Sequence, residues 1–292
     1  MQKIIPHLWF DKEAKEAVSL YTSLFENATL HNITTIHDTP SGDCDIVSFT
    51  LAGQNFMAIS AGPYFTLNPS ISLFVNLTTE EEIFKIWNKL TDGGKILMPY
   101  DTYPWAQKYG WVQDKYGVSW QLSLSEHPFN KQTITPSLMF TKKVAGKAKE
   151  AIQFYTSLFQ NSQVTLEVPY AEGEGDIAGY IKHAHFTLGE QDFMAMDSSM
   201  AHDFSFNEAF SFIINCETQE EIDYYWERLS SVPEAEQCGW CKDAYGVSWQ
   251  IVPIIMNEMM THGTKEQTAR VTKAFLGMKK FDIKTLEEAY AS

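Results

Sequence analysis

Positive charge is scarce in this sequence: 22 Lys and Arg stand against 37 Asp and Glu, a formal balance of −15 over 292 residues. That excess repels phosphate backbones and anionic lipid, so neither nucleic acid nor a membrane surface is expected as a partner. Cysteine is sparse as well. Four in a chain of this length do not make a disulfide framework, and Met1-Gln2-Lys3-Ile4 runs into strand-like sequence without an apolar secretory core, which points to a reducing cytoplasm. No stretch approaches the ~18 uninterrupted apolar residues of a membrane span. A Walker-type loop, a G-x-S-x-G elbow and an H-E-x-x-H helix are all missing, so hydrolase and nucleotidase chemistry has no motif. The Gly-rich turn that would hold S-adenosylmethionine on a doubly wound sheet is missing too: Gly93-Gly94 is a lone pair, and Gly173-Glu174-Gly175 sits in an acidic loop. What remains, 44% hydrophobic and 14% aromatic, is a globular chain long enough for two domains.

The most informative feature present is self-similarity. Ile4-Ile5-Pro6-His7-Leu8-Trp9-Phe10 returns as Ile134 to Phe140, and Tyr21-Thr22-Ser23-Leu24-Phe25 returns at Tyr155 to Phe159. Phe49 to Ala58 returns as Phe186 to Ala195, and Tyr116-Gly117-Val118-Ser119-Trp120-Gln121 returns at Tyr245 to Gln250. Four collinear matches mean a duplicated domain with its seam near residues 126 to 131, each copy expected to carry its own core. The expected domains are 1–126 and a shortened 132–256, followed by a helical extension over 257–292.

Within each copy the pattern runs strand, helix, strands, twice over. Ala14, Ala17, Val18, Tyr21 and Leu24 fall at helical spacing, and Thr79 with Glu82, then Thr218 with Glu221, read as capped helix starts. In the extension, Thr264 with Gln267 starts a further helix, and the apolar faces there are expected to pack on the body of the chain or on a second subunit, which leaves a homodimer open. Strand alternation separates a covered face from an open one. Val118, Trp120 and Leu122 alternate with Ser119, Gln121 and Ser123; Leu73 and Val75 alternate with Ser72, Phe74 and Asn76; Phe212 and Ile214 alternate with Ser211, Ile213 and Asn215. An open face that mixes hydroxyl, amide and aromatic groups suits a small-molecule ligand.

These elements resemble the vicinal oxygen chelate superfamily (glyoxalase, bleomycin-resistance and extradiol dioxygenase proteins) and, within it, the PhnB-like branch that is also described as 3-demethylubiquinone-9 3-methyltransferase-like. The resemblance rests on Pro6-x-Leu8-x-Phe10, Ala14-x-x-Ala17-x-x-x-Tyr21-x-x-x-Phe25, Gly94-Lys95-Ile96, Trp105-Ala106 and Asp114-Lys115-Tyr116-Gly117-Val118-Ser119-Trp120-Gln121. It implies an α+β fold of tandem domains, each of paired βαβββ modules forming a concave half-barrel sheet. The cavity candidates are His7, Trp9, Ser72, Phe74, Trp105, Ser119, Gln121, Ser211, Ser248 and Gln250. Metal-dependent members bring one ligand from each of four strands; here those positions fall at His7 or Ser137, near Ala58 and Ala195, near Ser70 and Ala209, and at Gln121 and Gln250. That set lacks carboxylates, so no cofactor, no inherited metal centre and no methylglyoxal–glutathione lyase activity is expected. Two readings compete with small-molecule binding. One is a catalytically silent assembly scaffold; the other is a lyase- or dioxygenase-type enzyme using a divalent metal on His183, His185 and Asp197. Cys238-Gly239-Trp240-Cys241 is a C-x-x-C without a second pair and reads as coincidence rather than a redox or zinc motif.

Overall fold

Apolar residues at strand and helix spacing set the elements, and the computed structural model describes them over residues 2–39, 42–125 and 132–292; Met1 and the seam at 126–131 lie outside the described residues. The first module is β1 (Ile4–Phe10), α1 (Ala14–Leu24), β2 (Thr29–Thr39), β3 (Gly42–Leu51) and β4 (Gln54–Ser60). The second is β5 (Ile71–Leu77), α2 (Glu80–Thr91), β6 (Lys95–Tyr103), β7 (Ala106–Gln113) and β8 (Ser119–Leu124). Repeat two follows with β9 (Ile134–Phe140), α3 (Ala148–Leu158), β10 (Gln163–Pro169), β11 (Ile181–Leu188) and β12 (Gln191–Asp197). Its last module is shorter: β13 (Phe210–Cys216), α4 (Gln219–Leu229), β14 (Trp240–Lys242) and β15 (Ser248–Pro253). Three helices end the chain, α5 (Ile254–His262), α6 (Lys265–Leu276) and α7 (Ile283–Ala291), none long and apolar enough to cross a membrane.

The tandem α+β architecture holds, but a repeat does not close its own sheet. The seven-stranded sheet runs β14-β15-β13-β1-β4-β3-β2 and the eight-stranded sheet β10-β11-β12-β9-β5-β8-β7-β6, so each joins one module of repeat one to one module of repeat two. The seams are antiparallel: Ile5 pairs with Ile213 between β1 and β13, and Phe74 pairs with Thr135 between β5 and β9. Nor do the repeats have separate cores, because the buried apolar side chains form one cluster that draws on both. The modules of one repeat instead meet through their helices. Tyr21 Oη on α1 donates to Asp114 Oδ2 at 2.7 Å, across to the turn between β7 and β8, and Trp120 Nε1 donates to the same oxygen at 2.9 Å. In repeat two, Tyr155 and Trp249 donate to Asp243 in the same way, at 2.7 and 2.8 Å. Burial holds both carboxyls above their usual range, Asp243 at about 6, against the four hydrogen bonds that each accepts. The Asp-x-x-Gly-Val-Ser-Trp-Gln motif is therefore a structural lock, and its glycines, Gly117 and Gly246, take the left-handed conformation that the turn requires, at φ of 91° in both.

The C-terminal helices pack on the body of the chain. The first begins at Ile254, directly out of β15, so the helical extension starts three residues before 257. Beyond α6 the chain runs past Cys238 and Gly239, whose N–H groups donate to Met278 and Lys279 carbonyls at 2.8 and 2.7 Å. This segment satisfies the edge that β6 covers in repeat one and that repeat two lacks. Phe281 is fully buried against Gly239, where a Cβ would come within 2.4 Å of its ring. Phe281→Ala is expected to cost about 3–5 kcal/mol in chemical denaturation, the range for a buried phenylalanine, and to speed proteolysis after residue 277. A cost below about 1 kcal/mol, within the usual range of a surface substitution, would mean that the tail is not part of the folded unit.

Candidate functional site

Strand parity puts the helices on one face of each sheet and a polar, aromatic row on the other. On the seven-stranded sheet the row Ser48, Met57, His7, Ser211, Ser248 and Lys242 follows from successive register pairs, with Trp240, Gln250 and Ile213 in the next row. His7 is 3% exposed, and the Trp240 ring meets it edge-on at 5.5 Å. Its Nδ1 lies 3.4 Å from Ser211 Oγ, which accepts from Gln250 Nε2 at 3.0 Å. Trp9 packs edge-on against Trp240 and Phe65 and donates through Nε1 to the Gly62 carbonyl at 2.8 Å. Ser248 Oγ is buried with no hydrogen-bond partner. Helix α5 crosses onto this face, and Asn257, Met260 and Thr261 face Thr34 and Ser48 across a cavity of about 650 Å³.

The eight-stranded sheet repeats the arrangement with Ser72, Ser119 and Gln121 paired, while Asn76 Oδ1, farther along β5, is buried without a partner. Ser72 and Ser119 share a hydrogen bond at 2.9 Å, Trp111 Nε1 donates to Ser119 Oγ at 2.8 Å, and Tyr109 Oη donates to Gln121 Oε1 at 2.7 Å. Phe74 lies on the same face, 6.5 Å from the Tyr109 ring. Trp105 does not reach this floor. It is 66% exposed in the turn between β6 and β7, stacked at 5.1 Å on Tyr103, which in turn meets Tyr109 edge-on. The sequence reading missed Trp111 and Trp240, which occupy equivalent places beside Ser119 and Ser248. Their signal is alternation counted back through the preceding strand, which puts each tryptophan opposite the motif's glutamine, Trp111 against Gln121 and Trp240 against Gln250.

Ala58 and Ala195 face the helices, since they pair with Val47 and Ala184 on the covered side; Met57 and Met194 face the open side in their place. The four strands thus offer His7, Met57, Ser211 and Gln250 in one sheet, and Ser137, Met194, Ser72 and Gln121 in the other. One imidazole and no carboxylate do not fit a zinc, nickel or iron centre. Asp197 does not join His183 and His185. It lies on the opposite face and accepts from the Gly146, Ala148 and Ile181 N–H groups, at 2.7, 3.1 and 2.9 Å, where it caps the start of α3. Cys238 and Cys241 are both free, with thiols pushed up by burial, the opposite of a reactive dithiol.

Burial also pushes His7 down from its ordinary 6.5 to about 3. Its unfolded form takes up a proton below pH 6.5 and its folded form does not, so stability from this residue is intact above 6.5 and falls as the pH drops toward 3. The His7 imidazole resonance, assigned by its loss in His7→Phe, should not titrate between pH 8 and 4.5. A midpoint near 6.5 would mean that the ring is solvated and the face open.

The 3-demethylubiquinone-9 3-methyltransferase family model matches residues 2–123 and again 132–252. A PhnB protein from Bacillus cereus is 43% identical over 42% of this chain and all of its own length, with a TM-score of 0.40. A Pseudomonas aeruginosa protein is 26% identical over 43% of this chain and 98% of its own, with a TM-score of 0.38. Glyoxalase I from Zea mays aligns over 89% of this chain and 98% of its own at 10% identity and a TM-score of 0.56, which shows a shared fold. No curated protein matches the sequence significantly. With both of its repeats matched and the fold shared with glyoxalase I, the chain belongs to the 3-demethylubiquinone-9 3-methyltransferase family.

Proposed function

We propose that this protein binds a small, uncharged, ring-containing molecule on the open face of the seven-stranded sheet, without an inherited metal centre. The observation that carries this is Ser248 Oγ, a buried hydroxyl without a partner. Its counterpart Ser119 is satisfied twice over by Ser72 and Trp111. Buried polar groups left unpaired cost about 1–3 kcal/mol, so one that is kept calls for a guest that pairs with it. Around it, Trp9, Trp240 and Phe65 supply flat apolar walls, while Ser211 and Gln250 supply a few fixed polar atoms, the usual make-up of a small-molecule site. Lys242, the cation of that row, is held by Glu208, which disfavours an anionic guest. Neither a polyanion nor a membrane is proposed as a partner. Methyl transfer is not proposed either: both sheets are mixed, and the chain has no Gly-rich turn of the kind that holds S-adenosylmethionine on a doubly wound parallel sheet.

The test is thermal unfolding in the presence of a library of uncharged heterocycles. A binder at 100 times its Kd stabilises by about 2.7 kcal/mol, a shift of several degrees. The shift should vanish in Ser248→Ala and Gln250→Leu and persist in Gln121→Leu. Elemental analysis of the purified protein should find no stoichiometric zinc, nickel or iron, and methylglyoxal–glutathione lyase activity should be absent. No shift with any cavity-sized compound would favour an assembly scaffold instead.

A further inference from the structure

The second repeat carries a group of soft donors that its counterpart lacks. On the open face of the eight-stranded sheet, His185 sits directly opposite Met194, and the adjoining Ala184–Ala195 pair sets His183 opposite Met196. The two imidazoles lie with ring centroids 4.4 Å apart and Nε2 atoms 2.5 Å apart. His185 and Met194 are buried, and His183 and Met196 are half-buried. In repeat one the same four places hold Ile46, Ser48, Met57 and Ile59, paired in the same register. Two imidazoles and one thioether have thus been added to a patch that is otherwise packing, and the small-molecule reading makes no use of them.

We propose that His183, His185, Met194 and Met196 form a binding site for one monovalent copper ion. The two Nε2 atoms already meet in a hydrogen bond, so both rings point to one spot that an ion can take in place of the shared proton, and two thioethers flank them across the hairpin. Thioether and imidazole together select Cu(I) over the harder divalent ions. The rest of the donor inventory points the same way: among the described residues no group of three or more His, Cys, Asp and Glu could hold a metal, and Asp197 is committed to the start of α3 on the other face. A buried, weakly polar setting favours the ion of lowest charge. Burial also lowers both imidazoles, His185 to about 4, which favours the neutral form that ligates.

The experiment uses the full chain and Cu(I) itself, supplied as its bicinchoninate complex under ascorbate. Because cysteine thiols compete for Cu(I), it is run in parallel on Cys238→Ala/Cys241→Ala. One equivalent should be withdrawn from the chelator by both proteins. Affinity should fall at least tenfold in Met194→Leu and in Met196→Leu, and uptake should be lost in His183→Ala/His185→Ala. Met57→Leu, the same position in repeat one, should leave affinity unchanged. X-ray absorption should show both nitrogen and sulfur around the ion, and metal-free variants should unfold within a few degrees of the parent. The proposal is overturned if no copper is withdrawn, if uptake disappears with the cysteines, or if the methionine variants bind as the parent does. Since this site is on the other sheet from Ser248, its failure leaves the small-molecule reading standing.

Discussion

The constraint on which the rest depends is the edge of the first strand. Once β1 has paired with β4 in parallel, its other side presents unpaired N–H and C=O groups that must be satisfied, and they are met by β13, a strand more than 200 residues later. The same requirement at β9 is met by β5. Both seams cross between repeats, so neither repeat owns a complete sheet and neither open face exists without both halves of the chain. His7 and Gln250 are brought to one floor only because of this exchange.

The modules of one repeat are held by a different device. A buried aspartate accepts from a tyrosine on the helix of one module and a tryptophan on the last strand of the other, while closing its own turn through two backbone N–H groups. Four hydrogen bonds offset the desolvation of that carboxylate, and its position at the meeting point of two modules explains why the surrounding residues read so alike in the two copies. Strands tie repeat to repeat; aspartates tie module to module. In the shortened last module the missing strand is replaced by the segment around Met278 to Phe281, which makes the helical tail part of the fold.

Much of this was legible in the sequence because it is periodic. The stripe of Ala14, Ala17, Val18, Tyr21 and Leu24 is buried as its spacing requires, and Ser119 and Gln121 do face away from the helices. Which module pairs with which was not legible. Duplicated modules carry near-equivalent edges, so alternation along β1 fixes which side chains face the helices but says nothing about whose strand lies alongside. Ligand positions are ambiguous by one residue for a related reason: a single step along a strand exchanges its faces, which separates Ala58 from Met57 and sets Asp197 on the opposite face from His183 and His185. The sequence offers Ser119 and Ser248 alike as cavity candidates and nothing in it separates them, since the same residue type in the same motif is satisfied at Ser119 and orphaned at Ser248.

The two open faces have diverged over one framework. One is closed upon itself by serine, tryptophan, tyrosine and glutamine hydrogen bonds and has gained a pair of histidines. The other keeps a buried histidine, an orphan hydroxyl and a covering helix. All of this rests on the exchange of modules, which a disulfide reads directly. In the full chain, Ile5→Cys/Ile213→Cys places two thiols at paired positions across the seam, whereas Ile5→Cys/Phe74→Cys places them where they would pair if repeat one closed its own sheet. The account predicts that mild oxidation links 5 to 213, as seen by peptide mapping, and leaves 5 and 74 free. A link between 5 and 74, with 5 and 213 left reduced, would contradict it.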